Sequence, residues 1–473
     1  MISKEGKNKV RKPEFLWEEL HATVFAEYID ALNKEKIKYF ILRNYEDLPE
    51  KNESKDVDII IKPGSYKMAS KLLLEVFKKY DISNYYVVKY EKVRCWFGID
   101  MTKNFFIHID LIEGYVNKGF EIFSFNTLYK NTIMYKNFKV LNEEYDAAML
   151  LLYKVINAKQ LKEKYRIKIE QSYNKNAEKI NKILKKVLDK RNAELLIGLL
   201  KKEGYDAIVD NARMISKFTK IKAFKKKPIH TVKNIILFGI EKFYRIVICP
   251  KKYKKFIAVE APDGTGKTTF IDELCVRLAE MFVCDIEKMH VYHFRPTILP
   301  NLGAVGEKAG VMKQDTDFTN PHRNKPANKI SSFIRMAYYW MDYIIGGIIC
   351  IRKDVQFDKF SIFDRYIYDF IVDPYRSRIN LPLSIRKLFV KTVHQPQIVF
   401  VLMADAEVVY NRKQELTLDE ITRQLKEFKK LKDISSNCIM LNANLTPDEI
   451  VDEAMKVIMD KYTLKVSKDV RNG

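Results

Sequence analysis

The run Ala261-Pro-Asp-Gly-Thr-Gly-Lys-Thr268 follows the apolar segment Phe256-Ile-Ala-Val-Glu260 and precedes apolar residues at helical spacing, Phe270, Leu274 and Leu278. That order predicts a buried strand, a glycine turn and an amphipathic helix. Gly264 and Gly266 let backbone N–H groups curl around a polyphosphate, and the helix start adds the positive end of its dipole. Lys267 is spaced to reach the β- and γ-phosphates, and the Thr268 hydroxyl to ligate Mg²⁺. The expected nucleotide-binding run is therefore Asp263, Gly264, Thr265, Gly266, Lys267, Thr268 and Thr269, with ATP and Mg²⁺ as ligands. Ala261 stands where the G-x-x-x-x-G-K-[ST] spacing has its first glycine. A methyl group fits there if φ is negative.

A second segment belongs with the first. Phe360-Ser-Ile-Phe-Asp-Arg-Tyr366 reads as a strand ending in Asp364-Arg365. Open parallel sheets bind ligands at the carboxyl ends of their strands, so this pair should face the glycine turn. Asp364 can hold Mg²⁺, directly or through water, and the Arg365 fork can bind a phosphoryl oxygen.

A chain of 473 residues exceeds one ordinary core and predicts two or three domains. From about residue 251, strand-like runs near 256–260, 289–294, 361–364, 398–403 and 438–441 alternate with helices. This is an α/β pattern with a five-stranded parallel sheet covered on both faces. Residues 1 to about 140 mix helical stretches with β-rich runs at 39–42, 57–61, 85–90 and 105–111, and residues 143–215 show helical period.

Six scattered cysteines without a C-x-x-C pair, behind a polar N-terminus, predict a reducing cytoplasm. The seven histidines show no metal-ligand spacing. No run of 18 uncharged apolar residues occurs, and Met336–Ile351 reads as a buried helix of the second half.

The strand-APDGTGKTT-helix followed by Phe-Asp-Arg-Tyr resembles thymidylate kinase and its nucleoside-monophosphate kinase relatives, over residues 251–465. The resemblance implies a P-loop NTPase domain that moves a phosphoryl group from ATP to a small-molecule phosphate acceptor. It implies that Asp263 faces the acceptor, that Arg365 holds an acceptor phosphate, and that Arg295 stands in the place of an Arg-Glu-Pro segment. Arg412-Lys413 fall where the family has a mobile lid, whose cations neutralise charge on the transferring group. Lys267, Asp364, Arg365 and Arg412 are thus the expected catalytic residues, and a homodimer is a further implication. The sequence after Tyr366 lacks the family's base-contacting Ala-Tyr-Gln. A Pro/Gly/Asn-rich stretch spans residues 294 to about 329; its Lys308, Lys313 and Arg323, with Arg376 and Arg378, are available to cover an anionic acceptor other than thymidylate. The pattern is similar to thymidylate-kinase-like proteins associated with bacterial surface-polysaccharide synthesis, which admits a sugar phosphate or glycan precursor as substrate.

In the first region Asp56-Val-Asp58 leads into Ile59-Ile-Ile61, and Asp110 follows Phe106-Ile-His-Ile109. Carboxylates at i and i+2 project from one strand face, and a third on a neighbouring strand completes a divalent-metal site. Two-metal phosphoryl transfer asks for this arrangement. It resembles the nucleotidyltransferase superfamily, an α+β fold, with residues 143–215 as a helical extension. The usual Gly-Ser of the phosphate-binding turn is absent, and Arg43-Asn44 stand near its place. Both a catalytic and a degenerate, acceptor-binding domain fit.

The expected order is a nucleotidyltransferase-like domain (1–142), the helical extension (143–215), a basic amphipathic linker (216–250) and the P-loop domain (251–465). The formal net charge is +23, and Ser216–Lys255 holds thirteen Lys/Arg against one acid, Glu241, about half of the total. Val232, Ile235, Ile236, Phe238, Ile240, Phe243, Ile246 and Val247 fall in an apolar stripe. One reading is a helix lying on anionic lipid, which would make a cytoplasmic protein membrane-peripheral and fits a regulatory nucleotide-binding module. The other is a linker packed between domains with its lysines solvated. Nucleic-acid binding fits less well, because the aromatics sit at core spacing.

Overall fold

A computed structural model describes residues 11–158, 160–250, 254–300, 327–414 and 416–469. The chain forms two compact units, Phe15–Glu241 with Leu464–Gly473, and Met1–Glu14 with Lys242–Thr463.

The first unit is built on an eight-stranded mixed sheet. Its strands are β1 (Tyr39–Ile41), β2 (Val57–Ile61), β3 (Asn84–Tyr90), β4 (Val93–Asp100) and β5 (Phe105–Glu113). After the small ribbon β6 (Tyr115–Asn117) and β7 (Phe120–Phe123) come β8 (Thr132–Tyr135) and β9 (Phe138–Leu141), and Leu464–Lys465 supplies the eighth strand. The spatial order is Leu464–Lys465, β3, β4, β5, β2, β1, β9, β8. β2 shows why both faces are covered. Ile59 and Ile61 pack with α1 (Glu19–Lys34) and α2 (Tyr66–Lys79) through Val24, Phe25, Leu73 and Phe77. Ile60, on the other face, joins a second core with Leu151, Ile183 and Leu196. Those residues come from α4 (Glu143–Tyr153), α5 (Glu163–Leu188) and α6 (Lys190–Asp210), after the one-turn α3 (Phe125–Tyr129). A strand buried on both sides reads as continuous apolar sequence, which Val-Asp-Ile-Ile-Ile nearly is. α7 (Ala212–Lys226) and α8 (Pro228–Phe243) follow.

Strands occupy all four runs anticipated before residue 140. β4 and β6–β9 were hidden from periodicity. β3 and β4 are joined by a tight turn at Glu91-Lys92 in which Glu91 adopts φ +51° without a glycine or asparagine to announce it.

The second unit carries five parallel strands, β10 (Phe256–Glu260), β11 (Met289–His293), β12 (Phe360–Asp364), β13 (Ile398–Met403) and β14 (Cys438–Asn442). Their order is β11-β12-β10-β13-β14, so β10 lies centrally, between β12 and β13. Every residue of β10 is buried. α9 (Lys267–Met281) directs Phe270, Leu274 and Leu278 into the core. A further core joins Phe256 and Phe363 to Tyr343, Tyr366 and Phe370.

The Met336–Ile351 segment differs from its expectation. It belongs to a helix from Lys329 through Gly346 that continues to Ile351, and only one face is buried, at Met336, Tyr343 and Ile351. Met341, Ile348 and Ile349 are about half exposed. Among the described residues no helix is long and apolar enough to cross a membrane. None of the six cysteines forms a disulfide.

Candidate functional site

The glycine turn joins the end of β10 to the start of α9. Gly264 and Gly266 adopt φ +91° and +87°, the region in which a side chain is strained, whereas Ala261 is buried without a positive φ. The methyl in place of the first glycine therefore costs no backbone strain. The Thr265 hydroxyl donates to Pro262 O at 2.9 Å and fastens the turn. Thr268 and Thr269 are exposed at the beginning of α9.

Parallel register brings three strand ends to this turn: Val259 of β10 lies beside Asp364 of β12, and Asp364 beside His293 of β11. The Lys267 ammonium pairs with Asp364 Oδ1, and His293 Nδ1 lies 3.0 Å from Asp364 Oδ2. Burial, and then the charge of Arg365, push the Lys267 pKa down to about 7.

Arg365 adopts φ +67°, a left-handed conformation sparsely used by non-glycine residues. Its N–H donates to Val259 O at 2.9 Å, and its guanidinium pairs with Asp263. Arg376 donates to the other Asp263 oxygen at 2.8 Å. Burial favours a protonated Asp263, but Arg365 and Arg376 outweigh it and hold the pKa down at about 2. Beneath this clamp Glu260 is fully buried, with Oε1 accepting from Tyr366 N at 2.8 Å. Burial, reinforced by the nearby Asp369 carboxylate, raises the Glu260 pKa well above the usual range.

The turn thus gathers Lys267, Asp364, Arg365, Asp263 and Arg376. Arg295 has other partners: Nη1 lies 3.2 Å from buried Asp342 Oδ2, and Nη2 donates to Pro300 O at 3.3 Å. Asp342 also accepts from Thr297 N at 3.2 Å and Leu299 N at 2.7 Å, so Arg295 helps to anchor the chain that leaves β11. Arg412 is exposed and donates to Ala443 O at 3.3 Å, whereas Lys413 lies against Gly264, its Cβ 3.1 Å from where a Gly264 Cβ would stand. The Arg378 carbonyl oxygen accepts from Ala327 N at 3.2 Å. Lys308, Lys313 and Arg323 lie outside the described residues.

Sequence reasoning assigned no role to His293, Glu260 or Asp369. An acidic residue closing the apolar strand Phe-Ile-Ala-Val-Glu was a usable signal for Glu260, since carboxylates are rarely buried without a partner.

The first unit holds a separate cluster. β2 and β5 run parallel with Asp58 opposite Asp110, and carboxylate oxygens of Asp56, Asp58 and Asp110 lie within 4.8 Å of one another. Arg43 Nη2 lies 2.7 Å from Asp58 Oδ2, both side chains buried, and its guanidinium stacks 5.0 Å over the Tyr153 ring. His108 Nε2 lies 2.9 Å from Asp110 Oδ1. Burial raises the Asp58 pKa to about 7 against the opposing pull of Arg43. Beside the cluster a cavity of about 280 Å³ is lined by Arg43, Asn44, Lys164 and Lys168 among others. The Arg43–Asp58 pairing was not legible from spacing.

These features define the second unit by its fold, an α/β unit with a P-loop turn at the carboxyl edge of a five-stranded parallel sheet. No family model and no curated protein matches the chain. Among solved structures it is similar to the thymidylate kinase of Ehrlichia chaffeensis, at 17% identity over 43% of this chain and 97% of that one, with a TM-score of 0.29. A score that low carries no weight for the site, whose geometry stands by itself.

Proposed function

We propose that the P-loop unit transfers the γ-phosphoryl group of ATP to a small anionic acceptor, as a thymidylate-kinase-like phosphotransferase. The observation that supports it is the clamp of Arg365 and Arg376 on Asp263, beside the Lys267–Asp364 pair. A site needing only to hold a nucleotide has use for Lys267 and Asp364. Two further guanidiniums at the same turn supply planar forks for a second anion.

The residues fit a nucleotide. A Cβ at Gly266 would meet no atom within 4 Å, leaving space over the turn, and buried Arg365 Nε makes no hydrogen bond, facing only the Asp369 carboxylate at 3.8 Å. Mg²⁺, held by Thr268 and Asp364, would supply neutralisation of charge on the phosphates. Lys267 and Asp364 are in contact with each other in this structure. An arriving polyphosphate gives Lys267 a stronger partner and frees Asp364. The bond from the γ-phosphorus to its bridging oxygen then breaks as the acceptor oxygen bonds to that phosphorus, leaving ADP and the phosphorylated acceptor. Lys267 and Arg365 hold the developing charge, so the rate comes from positioning and electrostatics.

The carboxylate cluster favours a second reading, in which the acceptor is a sugar phosphate or glycan precursor handled also by a nucleotidyltransferase-like first unit. Asp56, Asp58 and Asp110 offer an all-oxygen donor set suited to Mg²⁺ or Mn²⁺, and Arg43 must yield Asp58 for a cation to enter.

The test is ADP release with Mg²⁺ across thymidylate, other nucleoside monophosphates, sugars and sugar phosphates, for the wild type, Lys267→Ala and Arg365→Ala. Acceptor-dependent turnover that falls about 10²-fold or more in both variants is expected. Slow hydrolysis indifferent to every acceptor and surviving Arg365→Ala would sink the kinase in favour of a nucleotide-operated switch.

A further inference from the structure

α8 is turned inside out. The side it lays on the first unit is mostly polar: Thr231 and Asn234 are buried, and half-buried Glu241 accepts from Glu91 N at 2.8 Å and pairs with Lys89 at 3.3 Å. The helix backbone is pressed on a turn, since a Cβ on Gly119 would stand 2.7 Å from Ile235 N. Its apolar side points to solvent. Ile229 is 86% exposed, Ile240 60%, Ile236 56% and Val232 46%. Spaced at i, i+3, i+7 and i+11, these four form one stripe. A helix docked on a water-soluble core normally buries its apolar stripe and shows its polar face. Here the docking contacts hold the helix with the stripe outward, where each isoleucine costs free energy in water.

The charge around the stripe names its occupant. Ser216–Glu241 contains seven lysines and one acid; Lys225, Lys226 and Lys233 are exposed, while Lys227 pairs with Glu121 at 2.6 Å. Next to the start of α8, a cavity of about 660 Å³ is lined by Lys186, Lys222, Lys225 and Lys226. A second copy of this chain would bring the same lysines face to face, because a two-fold interface sets a patch against itself. A neutral partner would answer the stripe and leave the lysines unanswered. An anionic bilayer answers both, with acyl chains for the isoleucines and phosphate headgroups for the lysines.

We propose that α8 is a membrane-docking helix that lies in the surface of an anionic bilayer, its Ile229–Ile240 stripe entering the acyl boundary and Lys222, Lys225, Lys226 and Lys233 contacting headgroups. It holds the protein at the surface without crossing it. The role is independent of the phosphotransfer proposed above.

The experiment is co-sedimentation of the full chain with vesicles of phosphatidylcholine alone or doped with phosphatidylserine, at low and high salt. The variants are Ile236→Asp with Ile240→Asp, and Lys225→Glu with Lys226→Glu, all at exposed positions; circular dichroism verifies their folding. The wild type should sediment only with the anionic vesicles and retain a bound fraction at high salt. Each double variant should reduce binding at least about tenfold with the fold intact. Absence of wild-type binding at low salt overturns the proposal, and so does binding that Ile236→Asp with Ile240→Asp leaves unchanged. Self-association of the wild type that this variant abolishes, with no vesicle binding, would assign the stripe to a second copy.

Discussion

Arg376 Nη1 lies 2.8 Å from Asp263 Oδ2, a contact between residues 113 positions apart in the chain. With Arg365 on the other oxygen, it makes Asp263 the shared partner of two guanidiniums at the edge of the P-loop. In the phosphotransfer reading, Asp263 stores these forks in position until the acceptor phosphate competes for them.

Arg376→Ala leaves Arg365 in place, so the expected change is in acceptor binding. A charged hydrogen bond contributes about 1.5–3 kcal/mol, or roughly ten- to a hundredfold in acceptor KM, with kcat changed less. Arg376→Lys should restore only part of this, because an ammonium lacks the fork. Steady-state kinetics on the identified acceptor checks it, and an unchanged KM would remove Arg376 from the acceptor site.

The two turn glycines should separate strain from steric conflict. An alanine in the left-handed region costs about 1–2 kcal/mol at either position. At Gly264 the new methyl would also stand 3.0 Å from Val409 O and 3.1 Å from Lys413 Cβ, while at Gly266 nothing lies within 4 Å. Gly264→Ala should therefore lower the melting temperature more than Gly266→Ala. Gly266→Ala should still weaken ATP binding about tenfold or more, since its methyl enters the space over the turn. Thermal melts and calorimetric ATP titrations test the pair; equal melting temperatures would mean that the neighbours of Gly264 give way.

Lys267 should link nucleotide binding to protons. Burial and the Arg365 charge hold its pKa at about 7, below the ordinary 10.5, so the empty site binds fewer protons than a free amine between those values. A bound polyphosphate favours the ammonium and raises the pKa again. ATP binding at about pH 8 should thus take up most of one proton, and affinity should fall as pH rises above about 7. Calorimetry in buffers of different ionisation heat measures the uptake, which Lys267→Met should abolish.

Arg43→Ala removes the partner of buried Asp58. Breaking such a pair costs about 3–5 kcal/mol when the remaining charge stays buried. The Asp58 pKa, already raised to about 7 by burial, would rise further without Arg43. Protonation then limits the loss at low pH, and the destabilisation grows as pH rises through the wild-type value. Urea unfolding of both proteins at acidic and alkaline pH reads this directly, and a loss independent of pH would contradict it.

Short-range physics wrote part of this fold into neighbouring residues. The five strands of the second unit, the glycine turn and α9 were legible because burial on both faces, positive φ and helical period leave their marks within a few residues. Asp56, Asp58 and Asp110 were readable as one group for the same reason, strand alternation plus one neighbouring strand. Tertiary structure alone decided the partners. Arg376 rather than Arg295 meets Asp263, Arg43 closes on Asp58, and Glu260 is buried beside Asp369, because such pairings depend on how distant segments pack. α8 shows the division most plainly. Its period announced an apolar stripe, but a period is symmetric with respect to inside and outside. The polar seam at Thr231, Asn234 and Glu241, fixed by contacts with Glu91 and Gly119, turned that stripe toward solvent.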